Sequence, residues 1–134
     1  MRIPTAKGVD NAAKSLAAIL PPTPLFDVEI NGVTVFAKAE SLQPVGAFKI
    51  RGAWHRLSSL TNEERARGVV AFSSGNHAQG VAWAAKRLGV SATIVMPSDA
   101  PVAKVAGTRA LGADIVFYDR ATESREGIAA ALAN

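Results

Sequence analysis

At 134 residues the chain is long enough for one compact domain with a real core and too short for two ordinary ones, so it is one domain or part of a larger one. Apolar residues make up 49% and charged ones 19%, which excludes intrinsic disorder; the 15 basic and 11 acidic side chains leave a scattered net charge of +4, which fits a small anionic ligand and, with 6% aromatics, no nucleic-acid partner. The absence of cysteine removes disulfides, thiolate nucleophiles and Cys-based metal centres and suits a reducing cytoplasm, and with two histidines no metal is expected.

A helix is expected over residues 9–20, capped by Asp10 or Asn11, with Ala12, Leu16, Ile19 and Leu20 on one face. Pro21-Pro22 ends it, and because no apolar run approaches the ~20 residues of a membrane span, a soluble, uncleaved chain with no membrane partner is expected. Residues 25–30 and 33–36 flank Asn31-Gly32, a strong hairpin signal, since a type I′ turn needs two residues tolerant of positive φ. Lys49 falls near the start of the next helix, and Thr61 with Glu64 forms a capping box opening a short helix that Gly68 closes. From there strand and helix alternate. Strands are expected over 69–72, 90–96 and 115–118, and helices over 77–88, from Pro101 to Leu111 and from about Thr122. The strands are continuous apolar runs, as in a parallel sheet covered by helices on both faces. The last helix runs through Ile128 and Leu132 to Asn134 without a stop signal, so the chain reads as part of a larger architecture.

None of the 11 glycines are adjacent, and neither dinucleotide nor P-loop glycine patterns occur. No H-E-x-x-H or G-x-S-x-G motif is present either. One candidate is Ser73-Ser74-Gly75-Asn76-His77, between a strand and a helix, where free N–H groups attract anions in open parallel sheets. Read blandly, Ser74 or Asn76 simply caps that helix. A second candidate is Lys49, at a helix start whose dipole disfavours a permanent cation; it reads either as a solvated surface lysine or as an amine that works as a Schiff-base nucleophile. His55 reads as a partly buried packing residue, and Trp54 and Trp83 as core anchors.

The segment Phe48-Lys49-Ile50-Arg51-Gly52-Ala53, the Ser73-Ser74-Gly75-Asn76-His77 turn and the downstream stretch 97–114 occur in an order that resembles the pyridoxal-phosphate-dependent threonine/serine dehydratases, the threonine ammonia-lyases with serine racemase as a close relative. The resemblance runs from Thr23-Pro24-Leu25 to the last residue. It implies an α/β fold of the tryptophan synthase β type (PLP fold type II), truncated, with a parallel sheet, helices on both faces and an N-terminal β-hairpin. Residues 1–67 would be the N-terminal portion of the larger cofactor domain, and 68–134 an incomplete smaller βα domain.

The resemblance further implies that Lys49 forms the aldimine with pyridoxal 5′-phosphate, that Phe48 packs beside the cofactor and that Asn76 hydrogen-bonds its 3′-oxygen. Ser73, Ser74, Gly75, Asn76 and His77 would hold the substrate carboxylate, and Ser74 matches the position that moves a proton on the second face of Cα in racemases. Ala47 stands where the family usually has serine, which removes one hydroxyl near the cofactor. The glycine-rich phosphate loop and the partner of the pyridine nitrogen would belong to sequence beyond residue 134. Cysteine synthases and threonine synthases fit less well: their lysine is typically followed by Asp-Arg and their Gly-Asn by Thr, where Ile50-Arg51 and His77 stand here.

The implied activity is β-elimination of water from L-threonine or L-serine to a 2-oxo acid and ammonia. Serine racemization, hydroxyaspartate dehydration and a truncated, non-catalytic amino-acid-binding module are the alternatives. The implied partner is a small amino-acid substrate, and the full-length protein is expected to be a homo-oligomer.

Overall fold

The structure, a computed structural model, describes residues 3–134. Helix α1 spans Ala6–Ala17, earlier than expected: Thr5 is extended (φ −128°, ψ 155°) and its hydroxyl accepts the Gly8 N–H at 3.1 Å, which makes it the cap and leaves Asp10 and Asn11 inside the helix. Leu16 and Leu20 are buried, as the periodicity of that segment requires.

Strands β1 (Leu25–Ile30) and β2 (Val33–Lys38) form an antiparallel ribbon closed by Asn31 (φ 51°) and Gly32 (φ 76°), the two positive dihedrals of a type I′ turn. Strand β2 runs two residues farther than the apolar pattern indicated, because Ala37 and Lys38 pair with Phe26 and Leu25. Two 3-10 turns (Glu40–Leu42 and Pro44–Gly46) lead into α2 (Lys49–Ser58), followed by α3 (Asn62–Arg67), whose Thr61–Glu64 capping box forms as read.

Then come β3 (Val69–Phe72), α4 (Asn76–Leu88), β4 (Ala92–Pro97), α5 (Val102–Ala110), β5 (Asp114–Tyr118) and α6 (Arg125–Ala133). Pro101 is the residue before α5 rather than in its first turn, and α6 starts three residues later than Thr122 because the Ser124 hydroxyl accepts the Gly127 N–H. The sheet order is β3-β4-β5, all parallel, with Ala71 beside Ile94 and Ile94 beside Ile115. Helices α4 and α5 pack on each other over one face, as right-handed crossovers require, and α6 lies over β3 and β4 on the other.

The core sits between α2, α4 and the sheet. Ile50, Trp54 and Leu57 of α2 meet the alanine-rich face of α4, beneath which Ile94 and Met96 of β4 are fully buried. Trp54 and Trp83 meet edge to face, 5.8 Å apart, and both are buried, as expected of core anchors. Strand β4 is buried almost throughout, whereas β3, which α4 and α6 both touch, and β5 are edge strands only half-buried, with Phe72 and Phe117 exposed. His55, expected to be partly buried, is exposed, because α2 turns Ala53, Trp54 and Leu57 inward instead.

Candidate functional site

Two local features deliver Lys49. The 3-10 turn before it holds Val45 at φ 62°, a left-handed conformation that a β-branched residue rarely adopts, and the chain then reverses through Ala47 into α2. Helix α2 begins at Lys49, with Phe48 as the residue before it and no side chain capping the helix start. The Lys49 side chain is exposed and its ammonium lies 4.9 Å from the centre of the Phe48 ring, a cation–π contact.

A polar network anchors this start. Arg51 donates from Nε to Glu40 Oε2 at 2.7 Å and from its terminal nitrogen to Oε1 at 2.8 Å, a two-pronged pair; the Thr23 hydroxyl donates to the same carboxylate at 2.6 Å, and Lys38 donates to the Thr23 carbonyl. The Arg51 hydrogen bond, against the opposing cost of burial, holds the Glu40 carboxyl well below its ordinary range, at about 2, and Glu40 in turn raises the guanidinium. Sequence reading passed over Thr23 and Glu40; the only signal for them was a carboxylate eleven residues before the arginine of the lysine segment.

Gly80 brings the second half of the site to the first. A Cβ there would stand 3.3 Å from the carbonyl carbon and oxygen of Lys49, so α4 lies directly against the first turn of α2 only because residue 80 has no side chain. The same contact puts His77, one turn earlier on α4, beside Lys49. Burial chiefly, and then the Lys49 charge, push the His77 imidazole below its ordinary pKa, although much of the ring still faces solvent.

Phe48, Lys49, Arg51, Gly52, Ala53 and His77 line one groove of about 290 Å³. A larger groove of about 650 Å³, between α2, α3, β3 and the end of α6, shares His77 but not Lys49. Ser73, Ser74, Gly75 and Asn76 form the adjoining turn and do not line the Lys49 groove themselves. The Ser73 N–H continues the ladder to the Val95 carbonyl, and its hydroxyl accepts the Gly75 N–H at 3.3 Å. Helix α4 then begins at Asn76 with no capping side chain, which overturns the capping role for Ser74 or Asn76: the Asn76 amide oxygen is taken by Lys104 of α5 at 2.5 Å. The first-turn N–H groups of α4 thus keep their donor capacity for an outside acceptor. Among the described residues no group of three or more His, Asp or Glu is arranged around a metal position, and no helix is long and apolar enough to cross a membrane.

The family model described as pyridoxal-phosphate dependent enzyme matches residues 17–134. An L-threo-3-hydroxyaspartate ammonia-lyase from Pseudomonas sp is 52% identical over 99% of this chain and 43% of its own length. An L-threonine ammonia-lyase from Thermotoga maritima is 51% identical over 72% of this chain and 25% of its own length. The structure of maize serine racemase superposes with a TM-score of 0.88 at 38% identity, covering 94% of this chain and 40% of that one. The chain therefore spans less than half the length of the relatives it matches.

Proposed function

The chain belongs to the pyridoxal-phosphate-dependent enzyme family and has its tryptophan synthase β-like fold, and from that membership we propose that the complete protein eliminates water from a 3-hydroxy amino acid, threonine or serine, giving a 2-oxo acid and ammonia. The observation that carries this reading is the exposed Lys49 amine at the first position of α2, whose backbone packs on Gly80 and which shares a groove with His77 in the uncapped first turn of α4.

The residues present suit the cofactor. Gly52 in the Lys49 groove and Gly75 in the adjoining turn both have open space where a Cβ would be, room for a flat ring, and a primary amine beside a neutral imidazole and backbone donors is the right donor set for an aldehyde and an anion. When bound, the cofactor supplies an aldehyde to Lys49 and a ring that takes up the electron pair left on the substrate Cα. Lys49 Nζ receives the proton from Cα. The lowered pKa of His77, caused by burial first and the Lys49 charge second, keeps a second positive charge out of the groove. The 73–77 turn clamps the substrate carboxylate through the Ser73 and Ser74 hydroxyls and the N–H groups of Ser74, Asn76 and His77, those of Ser73 and Gly75 being bonded within the chain, so that the Cα–H bond is held in one orientation. Phe48 would lie beside the bound cofactor and Asn76 Nδ2 would serve as the donor to its 3′-oxygen. We further propose that residues 1–67 belong to the larger cofactor domain of the complete protein and 68–134 to the smaller one.

Reduction of the full-length protein with borohydride in the presence of pyridoxal phosphate, followed by peptide mapping, should label Lys49. Lys49→Ala should lose the visible absorbance and all turnover; retained turnover would overturn the assignment. Two neighbouring readings are supported by the names of relatives: hydroxyaspartate as the substrate, and racemization with the Ser74 hydroxyl delivering a proton to the opposite face. Assays for 2-oxo acid from threonine, serine and hydroxyaspartate, and for D-serine, separate them. A protein that binds amino acids but leaves Lys49 unlabelled would instead be a non-catalytic module.

A further inference from the structure

Lys104, on α5, is absorbed by none of the roles above, yet its ammonium reaches across to the start of α4. It donates to Asn76 Oδ1 at 2.5 Å and to Gln79 Oε1 at 3.1 Å. The second anchor is itself fixed: the Gln79 amide nitrogen lies over Gly107, where any Cβ would collide with it. A cation at a helix start is opposed by the helix dipole, so this placement calls for another reason than the stability of α4.

We propose that Lys104 is a positioning residue that fixes the rotation of the Asn76 amide. An ammonium can only donate, so the group facing it must be the carbonyl oxygen, and both Asn76 Nδ2 hydrogens are left for an acceptor elsewhere. Without Lys104 no described contact selects one amide orientation, and molecules that present oxygen where a donor is required become populated. On the cofactor reading above, on which this inference rests, that acceptor is the 3′-oxygen of the cofactor. Polarisation by the full positive charge also makes the amide a stronger donor than an amide facing water.

The test uses the full-length protein in two states. In the apo form, thermal unfolding of Lys104→Met, Asn76→Ala and the double variant should be non-additive, since each single change removes the same hydrogen bond; additive shifts would overturn the proposal. In the holo form, Lys104→Met should lower the ratio of visible to near-ultraviolet cofactor absorbance at least twofold, and Lys104→Arg should restore it. In an Asn76→Ala background the same change should add nothing. An unchanged ratio in Lys104→Met, or an equal fall with Asn76 already removed, would overturn the role assigned to Lys104 while borohydride labelling of Lys49 still upholds the cofactor reading. An unlabelled Lys49 in the unsubstituted protein would overturn the cofactor reading, and the ligand-facing half of this proposal with it, leaving the apo cycle to decide the hydrogen bond alone.

Discussion

The Glu40–Arg51 pair ties the turn at residues 40–42 to the first turn of α2, where Lys49 stands. Its carboxyl, at about 2 in the folded chain against an ordinary 4.5, stabilises the fold fully above the unfolded value and loses that contribution as pH falls from 4.5 through about 2. Taken whole, the difference is worth ~3 kcal/mol. Solvent reaches the pair, with side chains 32% and 19% exposed, and reduces it to ~1–2 kcal/mol. Glu40→Gln should therefore lower the unfolding free energy measured in urea by that amount at pH 7, and the gap between variant and parent should close as the titration approaches pH 2. Arg51 was legible as part of a motif, but its partner was not, because the eleven positions from Glu40 to Arg51 trace two 3-10 turns whose path no local propensity dictates. His77 illustrates the converse: its place in the turn was readable, while its lowered pKa arises from burial and from a lysine on another helix.

Between elements, the decisive contact is α2 on α4. Gly80→Ala gains up to ~1 kcal/mol of helix propensity, yet the new methyl meets unyielding backbone at 3.3 Å, and overpacking of that kind costs ~1–3 kcal/mol. A net loss of about 1 kcal/mol is expected in denaturant unfolding, with turnover of the full-length protein falling more than stability alone accounts for, since the displaced atoms are those of Lys49. The hairpin turn offers a cleaner case, because no heavy atom outside its chain neighbours lies within 4 Å of a Cβ placed on Gly32. Gly32→Val there is opposed only by the positive φ of 76°, at a cost of ~1–2 kcal/mol, and a loss seen in unfolding would measure backbone strain alone. The caps behaved unevenly as signals. Thr61 and Glu64 act within one turn and formed as read, whereas the start of α4 did not, because a lysine from α5 removed Asn76 from the choice of caps.

Across the whole molecule, apolar surface is unevenly covered. The β1–β2 ribbon leaves Phe36 71% exposed and Phe26 and Leu25 more than half exposed, on a two-stranded unit too small to be stable by itself. The 134-residue chain alone is therefore expected to self-associate through this ribbon, with a sedimentation coefficient that rises with concentration. Phe36→Glu should suppress that rise; no change would place the contact elsewhere. What the sequence by itself determined is whatever depends on neighbours within a few residues or on one repeating period: the type I′ turn, the capping box, three βα units, the buried tryptophans and the lysine segment whose resemblance named the family. Tertiary structure alone decided the approach of two helices at Gly80, the salt bridge from Glu40 to Arg51, the edge exposure of β3 and β5, and the capture of Asn76 by Lys104. Those contacts join residues 11 to about 30 positions apart, so their geometry follows from how the core packs and not from the preferences of any single segment.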